Sequence, residues 1–161
     1  MEMSKLFNLT CMFTKAGLTG ISGGATTFST GSATLSYAIA GIMYSNAQVS
    51  GGTTPVVGAV SGAAITLADE QARTVVWVLD SSGNEKVIEG EVVDLDGDGN
   101  YVNAPPLPNI DLETYCPFAY QVIKASGLTG TFTFGSSNWN TTGMTHTVKD
   151  VATLPSRPPA P

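Results

Sequence analysis

The residues best suited to chemistry are three carboxylates at alternate positions, Asp94, Asp96 and Asp98, followed at once by Gly99. Hard cations need several oxygen ligands and a sharply turned chain, so this pattern can wrap a calcium ion. The helix–loop–helix version of such a site requires a Glu six residues after the Gly, where this chain has Pro105, and no helical pattern flanks the segment. Asp and Gly also favour tight turns on conformational grounds alone, so the other reading is an acidic turn between strands. The only histidine is His146, set among threonines. Nucleophilic catalysis of the Ser-His-Asp kind needs a positioned Ser and a buried carboxylate, and no nucleophile-elbow motif is present. Pairing Cys11 with His146 as a dyad has no local signature. The glycine-rich stretches 20–24 and 51–54 lack the lysine of a phosphate-binding loop and read as plain loops. The chain is therefore expected not to be an enzyme, and to carry no cofactor beyond a candidate Ca2+.

Composition points the same way. Of 161 residues, 12% are charged, about half the usual level of roughly 25%. Ser and Thr outnumber the charged residues, and 18 residues are Gly. Such a polar, weakly ionised surface suits broad contacts with other protein subunits. The net charge is −6, and the seven Lys and Arg residues are scattered. No basic stripe is available to neutralise phosphates, which argues against nucleic acid, and the acidity argues against anionic membranes. The N-terminal residues lack a charged region followed by an apolar run, so no export signal is expected and Cys11 and Cys116 are expected to be reduced thiols.

The elements that must position these groups read as strands. Leu35 to Ile39 alternates with period two, and Ile42 to Tyr44 follows after Ala40-Gly41. A two-residue loop would set Tyr37 opposite Tyr44, although Ala40 disfavours the positive φ of a primed turn, and a bulge at Gly41 is the alternative. Thr74 to Leu79 is apolar on both faces, with Trp77 expected in the core. Asp80 to Gly83 fits a turn, Lys86 to Glu89 returns, and Gly90 marks a bulge. Phe118 to Ala125, Thr131 to Phe134 and Met144 to Val148 complete the series. Frequent turns without a long helix predict an all-β fold, a small antiparallel β-barrel or β-sandwich with extended N- and C-terminal arms. The expected organisation is an arm over residues 1–24, a β-rich body over 25–153 and a proline-rich tail over 154–161.

Candidate interface residues come from the arms and one aromatic. Leu6, Phe7, Leu9 and Phe13 give the N-terminal segment an apolar character. Pro155 and Pro158 belong to a tail whose natural geometry is extended polyproline, which loses little entropy on docking. Trp139, in a turn-rich stretch, reads either as an exposed interface anchor or as a side chain folded back to cap the barrel end.

The order of these motifs resembles a known group. An alternating strand runs into Ile39-Ala40-Gly41-Ile42-Met43-Tyr44. Val78-Leu79-Asp80-Ser81-Ser82-Gly83-Asn84 and Val87-Ile88-Glu89-Gly90 come next, then Leu107-Pro108. Cys116 to Lys124, Phe134-Gly135-Ser136-Ser137-Asn138-Trp139, Asp150-Val151 and Leu154-Pro155 follow. Over residues 27–155 this resembles small structural proteins of tailed-bacteriophage heads, among them capsid decoration, or cement, proteins. The resemblance implies a β-rich body on the outer capsid surface of a virion, made in the host bacterial cytoplasm, self-associated as a homotrimer and bridging copies of the major capsid protein. It implies no catalytic residues. Other roles compatible with the sequence are a head fibre base, a tail protein, or a calcium-dependent surface or carbohydrate-binding module.

Overall fold

A computed structural model describes residues 9–155. In chain order its strands are β1 (Cys11–Met12), β2 (Thr27–Phe28), β3 (Leu35–Ile39), β4 (Ile42–Asn46), β5 (Gly52–Thr53), β6 (Thr66–Leu67), β7 (Gln71–Leu79), β8 (Glu85–Asp94), β9 (Cys116–Ala125), β10 (Phe132–Thr133) and β11 (Met144–Asp150). All pairings are antiparallel, and no helix occurs among the described residues. The main sheet has the order β11-β9-β7-β8, a three-stranded sheet the order β1-β3-β4, and two short pairs are β10-β6 and β2-β5. The arrangement is sandwich-like and not a closed barrel. Met12 N–H donates to Ala152 O (2.9 Å), and Val151 N–H to Phe118 O (3.0 Å), so the small sheet is tied to the main one through residues 151–152.

The central strands β7 and β9 are apolar on both faces because both faces are covered. On the inner face Val75, Trp77, Leu79, Phe118 and Ile123 join the main core. On the outer face Val76, Val78, Ile88, Tyr120 and Val122 form a second cluster, roofed by Tyr101, Leu107, Ile110, Tyr115 and Leu154. Trp77 is fully buried, with ring centroids 4.9 Å from Phe28, 5.8 Å from Phe134 and 6.2 Å from Phe118. Truncating a buried aromatic of this kind costs about 3–5 kcal/mol. The bulge expected at Gly90 is present: pairing shifts between Arg73 and Val75, leaving Gly90 and Glu91 opposite Thr74. A Cβ at Gly90 would sit 2.5 Å from the Pro106 carbonyl, so a side chain there would displace the covering loop.

The β3–β4 hairpin uses the two-residue loop. Tyr37 faces Tyr44 and Ile39 faces Ile42, and the tyrosine rings stack at 5.6 Å. Ala40 takes φ 48° and Gly41 φ 80°, the positive pair that a primed turn demands. Ala40 accepts this strained conformation because the chain beside it holds the turn: Ala40 N–H donates to Thr10 Oγ1 and Gly41 N–H to Leu9 O, each at 2.9 Å.

Residues 9–24 are not an arm. Met12, Ala16, Leu18 and Ile21 lie in the main core, and Leu18 N–H donates to Asp150 Oδ1 at 3.0 Å. Their apolar residues are spaced by turns, not by a helical or strand period, which hid their burial from pattern reading. Residues 1–8 and 156–161 lie outside the described residues, and with them Leu6, Phe7 and Pro158.

Candidate functional site

The acidic motif forms a turn just beyond β8, closed by the Leu95–Tyr101 bridge. Asp96 Oδ1 accepts the backbone N–H groups of Asp98 (3.0 Å) and Asn100 (2.7 Å), and Oδ2 accepts Asn100 Nδ2 (3.2 Å). These bonds, led by the Asn100 backbone amide, hold the Asp96 carboxyl below its ordinary pKa. Asp94 ends β8 opposite Gln71, and both Asp94 and Asp98 are exposed. Lys124 Nζ donates to Gly99 O at 2.9 Å and lies 5.4 Å over the Tyr101 ring, placing a cation of the chain itself against the loop. Among the described residues no three His, Cys, Asp or Glu side chains converge as metal ligands would.

The same turn occurs twice. Asp80-Ser81-Ser82-Gly83-Asn84 and Asp96-Gly97-Asp98-Gly99-Asn100 share the pattern Asp-x-x-Gly-Asn. In the first copy Asp80 Oδ1 accepts Ser82 N–H (2.9 Å) and Asn84 N–H (3.0 Å), and the glycines take φ 81° and 75°. Burial alone would raise the Asp80 carboxyl. Hydrogen bonds from Asn84, Lys86 and Ser82 overcome it and bring the pKa to about 2. The repeat accounts for Asp96, Gly99 and Asn100 by turn geometry and leaves Asp94 and Asp98 outside the shared pattern.

His146 is closed into a polar chain that crosses the core. Trp77 Nε1–H donates to Gln121 Oε1 (3.2 Å), which turns the Gln121 amide NH2 toward His146 Nδ1 (3.0 Å). A backbone carbonyl can only accept, so His146 Nε2 carries the proton and donates to Trp139 O (2.8 Å). The imidazole is therefore held neutral. Burial lowers its pKa, and the Trp139 carbonyl bond pushes the other way without reversing the shift. Phe132 and Trp139 pack against the ring at 5.7 and 5.4 Å.

Trp139 takes the second of its two readings and not the first. It is 1% exposed, packs edge-on to Phe134 at 5.0 Å, and donates Nε1–H to Thr27 O at 3.0 Å. Glycines and serines around it let the chain fold back, so it caps the end of the core and is no interface anchor. Cys11 and Cys116 are both buried free thiols. Burial, and secondarily Cys11, pushes the Cys116 thiol up to about 12, which keeps it unreactive.

Several apolar side chains around the small sheet are exposed, flanking Cys11 and Ala38, which are themselves buried. Backbone pairing runs along β1 from Leu9 to Phe13, since Phe13 N–H donates to Ser36 O at 2.8 Å. The register places Cys11, Ala38 and Met43 in one cross-strand row, while Met12, Tyr37 and Tyr44 face the core. Leu9 and Phe13 flank Cys11 on its face. Leu9 is 45% exposed, Phe13 53%, Met43 60%, and Ile42, at the hairpin end, 59%. β4 is also the edge of its sheet. With Ile39–Ile42 closing the hairpin, the backbone groups of Met43 and Ser45 point away from β3 and have no hydrogen-bond partner among the described residues. The strand carries neither charge nor proline, the usual protections of an open edge.

Comparisons with protein-family models, with curated proteins and with solved structures find no match. Leu9 and Phe13, expected at an interface, are brought onto one face. Ile42 and Met43 were missed, because Ile42-Met43-Tyr44 reads equally well as a buried return strand. An exposed hairpin end after a primed turn is the only signal that separates the two. Pro155 is exposed at the opposite end of the chain.

Proposed function

We propose that the chain is a structural subunit that binds protein neighbours, and that it serves as a capsid decoration protein on a tailed-phage head, contacting further copies of itself and the major capsid protein. The observation that carries this reading is the unprotected β4 edge, set beside the exposed apolar face of Leu9, Phe13 and Met43. An open, uncharged edge can add a strand from a neighbour through main-chain hydrogen bonds, while the apolar side chains supply buried area. The motif order over residues 27–155 supplies the kind of neighbour. The polar groups most able to do chemistry, Asp96 and His146, are engaged in turn and core hydrogen bonds, in keeping with a binding role. No helix among the described residues is long and apolar enough to cross a membrane.

The test is sedimentation equilibrium followed by electron microscopy of particles. The parent chain is expected at about three times its 16.6 kDa mass and on the outside of heads. Met43→Lys, which charges the face without touching the core, is expected to shift the mass toward monomer with unchanged melting. A chain that stays monomeric at about 100 μM and is absent from heads refutes the reading.

A further inference from the structure

The main sheet has an open edge of its own. β11 ends the order β11-β9-β7-β8. The bonds from Ser126 N–H to Gly143 O (2.8 Å) and from Val151 N–H to Phe118 O (3.0 Å) extend its ladder with β9 at both ends. Alternate residues of an antiparallel ladder bond to the partner. Thr145, Thr147 and Lys149 therefore turn their backbone groups toward β9, and His146 and Val148 turn theirs away. Those outward groups have no hydrogen-bond partner among the described residues. The opposite edge, β8, is protected: Ala59 N–H donates to Val87 O at 2.8 Å, and the strand carries Glu85, Lys86, Glu89 and Glu91.

We infer that β11 of one copy adds to β4 of the next, antiparallel, with Met43 opposite Val148 and Ser45 opposite His146. Each of these pairs exchanges two main-chain hydrogen bonds, and every other antiparallel register leaves at least one of the four residues without a free match. Residues directly opposite share a face, so the neighbour's Lys149 stands beside Ile42 and its Thr147 beside Tyr44. Lys149 is exposed and in no ion pair among the described residues. Ile42 and Tyr44 line a cleft of about 400 Å³ together with Asp80, Lys86 and Glu113. Lys86 pairs with Asp80 at 3.1 Å, which leaves Glu113 as the unpaired charge of the cleft among the described residues. The neighbour's ammonium thus meets a carboxylate that no cation of its own chain holds. Joining two different edges is a head-to-tail contact, which generates a ring where the rotation closes, whereas β4 paired with itself would stop at two copies. The inference rests on the proposed self-association and names the surfaces that carry it.

The experiment uses full chains carrying Ile42→Cys or Lys149→Cys, both at exposed positions, Cys11 and Cys116 being buried. In this register the two new thiols face each other at a non-hydrogen-bonded pair, about 4.5 Å between Cα atoms and within disulfide range. Oxidising an equal mixture of the two variants is expected to give a mixed disulfide dimer and no homodimer of either, read by mass spectrometry. The double variant is expected to give a covalent series ending at the size that sedimentation finds for the parent. Lys149→Glu is expected to weaken association severalfold, and Lys149→Glu combined with Glu113→Lys to restore it. Homodimers of either single variant, or no cross-link in a sample that sediments as an associated species, overturn the inference and leave self-association standing. A chain that sediments as a monomer overturns both.

Discussion

Gln121→Leu tests whether the polar chain through the core is held together by one amide. Gln121 is fully buried and links one donor and one acceptor that have no other partner among the described residues: Trp77 Nε1–H at 3.2 Å and His146 Nδ1 at 3.0 Å. Leucine of similar size removes both bonds and leaves an indole N–H and an imidazole nitrogen facing an apolar side chain. A buried polar group stripped of its partner costs about 1–3 kcal/mol. Two such groups, less a modest gain from the added apolar burial, give an expected loss of about 2–4 kcal/mol. For a domain of this size that lowers the melting temperature by roughly 4–16 °C. Urea unfolding followed by tryptophan fluorescence measures it, with the slope against urea checked for two-state behaviour. Trp77→Phe, made alongside, separates the indole bond from the imidazole bond: combined with Gln121→Leu it should cost less than the sum of the two. A Gln121→Leu variant within about 0.5 kcal/mol of the parent, unfolding with the parent's slope, refutes the claim that these bonds matter.

Other outcomes are expected from particular residues. His146 has a native pKa below its ordinary 6.5, so the unfolded state takes up the proton first. Its contribution is fully present above pH 6.5 and is lost as pH falls from there through the lowered native value; urea midpoints between pH 7.5 and 5 should decline in the parent and flatten over that window in His146→Phe. Ala40→Asn places a residue tolerant of positive φ beside Gly41 and is expected to stabilise by about 0.5–1 kcal/mol, read as a raised urea midpoint with unchanged slope. Melting curves in calcium and in chelator are expected to superimpose, because Asp96 is committed to its own turn and Lys124 lies against the loop; a rise with calcium would restore the ion-binding reading of Asp94, Asp96 and Asp98.

Local chemistry made much of the fold legible. β-branched and aromatic runs marked β7 and β9, Asp and Gly marked two turns, Gly90 marked its bulge, and period-two alternation marked β3, while the choice between a two-residue loop and a bulge at Gly41, and with it the Tyr37–Tyr44 register, was left to the structure. These are short-range consequences of side-chain shape and backbone dihedrals, so residue order alone carries them. The tertiary structure decided what depends on partners distant in sequence. Trp139 is core and not surface because Phe132, Phe134 and His146 converge on it from β10, the turn after it and β11. Residues 9–24 are body and not arm because β1 pairs with β3, Leu18 bonds Asp150, and Met12, Ala16, Leu18 and Ile21 pack into the core. Leu9, Phe13 and Met43 share a face only because β1 and β4 pair with opposite sides of β3, a choice that no single segment encodes. Burial is a property of the assembled layers, and an apolar residue in the sequence carries no mark of which side of a sheet will be left open.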